Sequence, residues 1–406
     1  MVQNTLEDVF GALRRRPDVE APNLQAWDAT DRLLLETAAD RAGAGSNVAV
    51  IGDRYGALTL GALATLGIRT VRVHQDLITG ERALRNNAAA LGLDSTPPEP
   101  RTGKRFEQLP LGKELLTGAD LVLLQLPKTL AELDQIAGAV ARYAAPGAVL
   151  LAGGRVKHMS LGMNAVLERH FGTVQPQLAR QKSRVIVAGD AREASGREPV
   201  PVLEHLAELD LDVAAHGAVF AGPRLDIGTR FLLTFLPAMP AAGHAVDLGC
   251  GTGILAAMYA RQNPGSVVTA TDQSAAAVAS AAGTAAANGL SDRVKVLQDD
   301  AMSTLPDASV DLILLNPPFH LGATVHAGAG IKMFEAAGRV LTPGGQLWTV
   351  FNRHLNYLPA LERLVGPTAV KGQNPKFTVA VSTRRPSRQE GAAPRPRLHM
   401  WADDKG

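Results

Sequence analysis

The residues Asn316-Pro317-Pro318-Phe319 follow directly on the apolar run VDLILL. Two successive prolines fix φ and remove two backbone donors, so carbonyls remain there as acceptors. The Asn316 side-chain oxygen and the Pro317 carbonyl can together accept both hydrogens of an amino group. That aims the nitrogen lone pair at an electrophile. Phe319 can stack on a planar base taken out of its helix. The plain alternative is a turn with a core Phe. Two further motifs in the same half of the chain suit the same chemistry and weigh against it.

The first is DLGCGTG, residues 247–253. Gly249, Gly251 and Gly253 at a strand-to-helix turn let a ligand approach the backbone and expose helix N-terminal amides. The spacing is tighter than the dinucleotide fingerprint, and the preceding acid, Asp247, suits a cationic ligand end better than a pyrophosphate. The second is Thr271-Asp272, where an acid about twenty residues beyond the turn is expected to hold ribose hydroxyls. Asp299 and Asp300 close a third run, RVKVLQ. For Asp299 a ligand contact and a helix cap are even readings; for Asp300 the ligand contact is preferred. Cys250 has no base near it in sequence and is read as a small residue filling the turn.

Such motifs need a parallel sheet that gathers strand ends at one edge. The chain supplies the pattern twice. VAVIGDRYGALTLGALA near residue 50 matches AVDLGCGTGILAAMYA near 247, and VRVHQD matches VVTATDQ. NNAAALGLD then matches TAAANGLSD, ADLVLLQLPKTL matches VDLILLNPPFHL, and AAPGAVLLAGG matches LTPGGQLWTV. Blocks in one order at nearly constant offset mean two copies of one domain. Each copy alternates short apolar strands with Ala-rich helices, which predicts an α/β fold with helices on both faces of a parallel sheet.

Composition sets outer bounds. Of the 406 residues 46% are hydrophobic and 20% charged, so the chain buries cores. A formal net charge of +2 neither marks nor excludes a nucleic-acid partner. The single cysteine excludes an intrachain disulfide and a Cys-rich zinc site, and no metal is expected. No apolar run is long enough for a membrane helix, and MVQNTLEDVFGALRRR lacks the order of a signal peptide. A cytoplasmic protein with no membrane partner is expected.

The motifs DLGCGTG, Asp272 and NPPF, in this order, resemble the class I S-adenosylmethionine-dependent amino methyltransferases over residues 245–350. The whole chain, with a degenerate copy before an intact one, resembles the bacterial ribosomal RNA guanine-N2 methyltransferases. NLQAWDATDRLLL, LPKTLAEL, GGRVKHMS and RQKSRVIVA look like that family's first domain, and VFAGPRLDIGTRFLL like its entry into the catalytic domain. FNRHLNYLPALERLVG and KFTVAV resemble the large-subunit branch more than the small-subunit branch.

The resemblance implies two tandem Rossmann-like class I methyltransferase domains, the first degenerate and the second catalytic. It implies S-adenosyl-L-methionine as cofactor and methyl transfer to the exocyclic N2 of a guanine in large-subunit ribosomal RNA. Asn316, Pro317 and Phe319 are the expected catalytic residues. Asp247, Gly249, Gly251, Gly253, Asp272, Asp300 and Asn316 are expected at the cofactor. Pro318, Phe319 and His320 are expected at the substrate, though a structural His320 is an equal reading. By resemblance Gly228 and Thr229 approach the cofactor's methionine end; the alternative is a helix cap at Thr229.

The first copy has Val50 for Asp247, Arg54 for Gly251, Gln75 for Asp272 and Gln125-Leu126-Pro127-Lys128 for Asn-Pro-Pro-Phe. It is expected to keep the fold and lose the site, with Arg54 obstructing a cofactor. A retained inert domain suits binding. Arg155, Lys157, His158, Arg180, Lys182 and Arg184 are candidate RNA contacts on strand-flanking loops, against a reading as ordinary surface. Arg14, Arg15 and Arg16 are equally a solvated helix end. The expected division is 1–190 (RNA-binding copy), 191–212 (linker), 213–383 (catalytic domain) and 384–406 (disordered basic tail). The expected partner is ribosomal RNA or a ribosomal subunit in assembly, met by a monomer. Methylation of small-subunit RNA, DNA adenine or a protein glutamine, or a non-enzymatic assembly role, are the competing readings.

Overall fold

The computed structural model describes residues 5–93, 103, 105–193, 200–318 and 323–385, the side chains of 323–327 excepted. Phe319, His320 and the tail beyond 385 lie outside the described residues.

The first sheet contains β1 (Val48–Ile51), β2 (Thr70–His74), β3 (Arg105–Gln108), β4 (Leu121–Gln125), β5 (Val149–Arg155), β6 (Phe171–Pro176) and β7 (Ser183–Ala191). A hairpin, β8 (Val202–Leu206) and β9 (Leu211–Ala215), follows. The second sheet contains β10 (His244–Leu248), β11 (Val267–Asp272), β12 (Val294–Gln298), β13 (Val310–Leu315), β14 (Leu341–Asn352), β15 (Thr368–Gln373) and β16 (Phe377–Thr383). The strand orders are β3-β2-β1-β4-β5-β7-β6 and β12-β11-β10-β13-β14-β16-β15, the same order twice. In each, the first five strands run parallel, and the sixth in the order, β7 or β16, is antiparallel to both of its neighbours. The expected duplication of an α/β sheet is therefore present.

Helices α1 (Leu6–Ala12), α2 (Ala29–Ala39), α3 (Ala57–Thr65), α4 (Ile78–Leu91), α5 (Lys113–Leu116), α6 (Leu130–Tyr143) and α7 (Leu161–His170) surround the first sheet. Helices α8 (Ile227–Leu233), α9 (Ile254–Gln262), α10 (Ala275–Ala287), α11 (Ala323–Val340) and α12 (Leu358–Leu364) surround the second.

Strands covered on both faces read as continuous apolar runs, and successive residues enter opposite cores. Val48, Val50, Leu121 and Leu123 join one core of the first sheet; Ala49, Ile51, Val122 and Leu124 join the other. Ala245, Leu312 and Leu314 face one core of the second sheet; Val246, Ile313 and Leu315 face the other.

The region expected as a featureless linker is structured in part. Gly189–Ala191 complete β7, and β8–β9 occupies 202–215. Leu211 and Val213 are buried in the second domain's core, and Ala214 N–H donates to Thr284 Oγ1 on α10 at 3.0 Å. The alternation in this hairpin is too short to stand out from its polar flanks. Among the described residues no helix is long and apolar enough to cross a membrane.

Candidate functional site

The carboxyl edge of the second sheet gathers the motif residues at the crevice between β10 and β13, where the strand order reverses and ligands of open α/β sheets bind. Gly249, Gly251 and Gly253 have φ of +74°, +53° and +76°, a region that favours glycine. A Cβ on Gly253 would stand 2.9 Å from Ala281 Cβ, so this glycine also lets α9 approach α10. A Cβ on Gly251 would meet nothing within 4 Å; this glycine borders open space.

Asp247 is buried at the end of β10. Its Oδ2 accepts the Ala256 N–H at 2.9 Å, and its Oδ1 has no partner among the described residues. Burial pushes its carboxyl up to about 7, and the charge of Asp272 adds to the shift. Asp272 accepts the Gly251 N–H at 3.1 Å and the Ser274 N–H at 3.0 Å. Burial raises its carboxyl, against those two bonds. The two acids thus hold the glycine turn and the start of α9.

Asp299 and Asp300 separate. Asp299 accepts the Thr304 N–H and hydroxyl, both at 2.8 Å, and the Ser303 hydroxyl. Burial would raise its carboxyl, but these bonds hold it below the ordinary value. It acts as a turn cap. Asp300 instead sends Oδ2 to Lys332 Nζ on α11 at 2.5 Å. Cys250 is buried, and burial with the charges of Asp272 and Asp247 pushes its thiol far up, which leaves it inert.

Asn316 lies just beyond β13. Its Nδ2 donates to Asp226 Oδ2 and to Thr229 Oγ1, both at 2.9 Å. Asp226 caps α8, accepting from the N–H groups of Gly228 at 2.9 Å and Thr229 at 3.1 Å. The cap is therefore Asp226 rather than Thr229, whose hydroxyl is turned to Asn316 instead. A Cβ on Gly228 would stand 3.1 Å from Asn316 Oδ1, so glycine keeps this contact open. Both amide hydrogens of Asn316 are used, which fixes the amide's orientation. Its Oδ1 is buried with no partner among the described residues. An unpaired buried acceptor costs ~1–3 kcal/mol, which an incoming donor would relieve. Pro317 is buried and Pro318 exposed.

The first sheet's corresponding edge is closed. Asp53 accepts the Gly56 N–H on Oδ1 and the Thr59 N–H on Oδ2, at 3.0 and 2.8 Å. Gln75 donates to the Asp53 carbonyl at 2.5 Å, and Gln125 to Asp31 at 2.5 Å. Tyr55 donates to Asp18 under the Arg15 guanidinium. The cavity left among Trp27, Asp31, Asp53, Tyr55 and Gln125 is about 50 Å³, against the ~300 Å³ and more of a small-molecule site. Arg54, whose side chain is exposed, lines this cavity together with them.

The inert copy also touches the intact site. Ile78 N–H donates to the Gln273 carbonyl at 2.9 Å, and Ala275 N–H to the Asp76 carbonyl at 2.8 Å. Leu77 and Ser274 form an antiparallel bridge. Gln75–Leu77 match Asp272–Ser274 in the repeat, so each position meets its own counterpart, as in an isologous dimer. Asp76 Oδ1 also accepts the Ala276 N–H at 2.9 Å. Gly217 reaches α6 so closely that a Cβ there would stand 2.4 Å from the Ala131 carbonyl.

Of the expected RNA contacts, Arg155, Lys157 and Lys182 share one corner of the first domain, where Val156 N–H donates to the Lys182 carbonyl at 2.9 Å. Arg180 pairs with Glu36 at 3.6 Å, and Arg184 sits within β7 rather than on a loop. Asp226, Lys332 and Asp76 are site-shaping residues that the motifs did not reveal. Only Asp226 carried a signal, as an acid directly before a helix.

Residues 1–192 match the model of the RLMG N-terminal domain, and 210–381 that of the Methyltransferase small domain. A ribosomal RNA large subunit methyltransferase G of Pseudomonas paraeruginosa is 36% identical over 90% of this chain and 96% of its own. One of Streptomyces avermitilis is 34% identical over 92% and 97%. Among solved structures, a T. thermophilus 16S rRNA N2 methyltransferase with AdoMet and guanosine superposes with a TM-score of 0.70 at 20% identity, over 94% of this chain and all of that one, a likeness of fold. With such identity along nearly the full length of its relatives, the chain belongs to the ribosomal RNA large subunit methyltransferase G family.

Proposed function

We propose that the second domain transfers a methyl group to the exocyclic N2 of a guanine in large-subunit ribosomal RNA, with S-adenosylmethionine as donor. The carrying observation is the Asn316 amide, held through Nδ2 by Asp226 and Thr229, with Oδ1 buried and without a partner among the described residues. An exocyclic guanine amine is a poor nucleophile because its lone pair is delocalised into the ring. Asn316 Oδ1 and the Pro317 carbonyl accept its hydrogens and localise that pair. Pro318, Phe319 and His320 border the flipped base in this reading.

The cofactor fits the residues present. Asp247 Oδ1 is an orphaned acceptor for a cationic end, Gly251 borders open space, and Asp272 and Asp300 stand at successive strand ends for ribose and base. When bound, S-adenosylmethionine supplies the electrophilic sulfonium methyl. The chain's own task is alignment, and the proton leaves the nitrogen after transfer, so no strong base is needed.

In this reading the first domain, 1–190, binds RNA through the corner of Arg155, Lys157 and Lys182. Residues 213–383 form the catalytic unit. The monomeric protein acts on ribosomal RNA or an assembling subunit in the cytoplasm.

The test is transfer from labelled S-adenosylmethionine to ribosomal RNA and subunits of a strain lacking this gene, with nucleoside analysis. N2-methylguanine confined to that strain's large-subunit RNA is expected. Asn316→Ala should retain cofactor and RNA binding while transfer falls about 10²–10³-fold. Unchanged transfer by that variant would overturn the role of Asn316. Label only in small-subunit RNA, DNA or protein would overturn the substrate.

A further inference from the structure

A second concavity opens beside Asn316. It measures about 700 Å³ and is lined in part by Ile227, Asn352, Arg353, His354, Pro375 and Lys376. Three segments far apart in sequence build it: the start of α8, the end of β14 and the turn between β15 and β16. The segment FNRH, singled out by its resemblance, thus has a place but no role in the reaction derived above.

The cleft is rigid where its cations stand. Arg353 N–H donates to the Lys376 carbonyl at 2.9 Å, which ties the two basic segments side by side. Asn374 Oδ1 accepts the N–H groups of Lys376 and Phe377 at 2.8 and 2.7 Å, fixing the turn that carries Pro375. Asn352 and Phe377 are paired in register beneath it. The Arg353, His354 and Lys376 side chains are exposed, and no carboxylate pairs with them among the described residues. Asp226 borders the cleft, but its Oδ2 already serves Gly228, Thr229 and Asn316. The apolar Ile227 is 53% exposed at the same border.

Cations with no carboxylate partner among the described residues, one of them, Arg353, donating to the Asn374 carbonyl at 3.5 Å, stand on a tied pair of loops beside an exposed apolar side chain, which matches a chain of phosphates with an adjoining sugar or base. We propose that this cleft binds the RNA sugar–phosphate backbone next to the nucleotide held at Asn316. Arg353 and Lys376 contact phosphates, and Ile227 contacts the adjoining sugar or base. The proposal rests on the RNA reading above and assigns the catalytic domain a backbone site separate from the basic corner of the first domain. Its consequence is orientation: the backbone is fixed beside Asp226, the side chain that holds the Asn316 amide.

The experiment compares the full chain with Arg353→Gln/Lys376→Gln, using a large-subunit RNA fragment at several salt concentrations. The KM for RNA should rise at least about tenfold. The slope of log affinity against log salt should shrink by about 1–2, as for the loss of two phosphate contacts. The cofactor KM and the thermal midpoint should stay as in the parent. Arg353→Lys should restore most of the slope, because a phosphate contact needs the charge first. If the parent methylates the RNA while the double variant keeps its KM and salt slope, the cleft proposal fails and the RNA reading stands. If the parent methylates no RNA, both fail. A lowered midpoint with an unchanged salt slope would also overturn the proposal, since only structure would have been lost.

Discussion

The two halves of the chain carry one sheet order and opposite treatments of a buried acid. In the second half Asp247 uses one oxygen on the helix it precedes and leaves the other buried without a partner among the described residues. In the first half that strand position is Val50, and Asp53, three residues on, spends both oxygens on its own turn and helix. Ala256 and Thr59, whose N–H groups the acids accept, match in the repeat. The helix start is held either way. Only the second arrangement leaves a carboxylate oxygen without a partner among the described residues. The next strand gives a narrower difference. Gln125 donates to Asp31 much as Asn316 donates to Asp226 and Thr229, but it is the Asn316 oxygen that is buried with no partner among the described residues. A site is lost here by satisfying its polar atoms internally, and a fold survives that because the strands and cores are untouched.

The contrast is broken most severely by moving a residue of the closed turn into the open one. Gly251→Arg places a side chain where φ is +53° and where open space adjoins the turn. Cofactor affinity by calorimetry should fall at least about 100-fold, because αL strain and occupied volume act together. The reverse change, Arg54→Gly, should still give one cofactor per chain, since the first cavity of about 50 Å³ remains too small. A second bound cofactor would show that the closure described here is not what silences the first copy.

Next in size is a pH effect confined to the second copy. With the Asp247 carboxyl at about 7, a cationic ligand end meets an ionised partner above that pH and a protonated one below it. Cofactor affinity should weaken as pH falls, by up to about tenfold per unit below 7. Asp247→Asn should bind weakly with a flat profile. A parent profile flat between pH 5.5 and 8 would remove the charge role of Asp247.

A smaller effect should cross between the copies. Asp76 of the first domain holds the backbone of Gln273–Ala276, next to Asp272. Asp76→Ala should raise the cofactor KM about fivefold with kcat within twofold. Equal losses in kcat and in thermal stability would mean a structural role only.

The smallest change is at Glu132 on α6, close to the same seam. Burial, then the charge of Asp76, raises its carboxyl to about 7, against the opposing charge of Lys128. A folded-state value above the unfolded one of 4.5 makes the native state less stable as pH rises from about 4.5 through 7. Glu132→Gln should therefore raise the thermal midpoint by about 2 °C at pH 8 and leave it unchanged near pH 4. A lower midpoint at pH 8 would show that the carboxylate is needed at the seam.

The sequence by itself determined the duplication, the parallel sheets, the left-handed glycine turn, and which copy retains an acid at the strand end. These are local facts: the period of apolar residues, the conformational freedom of glycine, and the type of residue at a strand terminus. It also brought Asn316 forward, because a double proline has few conformations. The tertiary structure alone decided which oxygens remain free. Asn316 meets Asp226 across 90 positions and Asp300 meets Lys332 across 32. Asp76 meets Ala276 across 200. Whether a buried acceptor is spent or spare depends on packing between distant segments, and that register leaves no periodic trace along the chain.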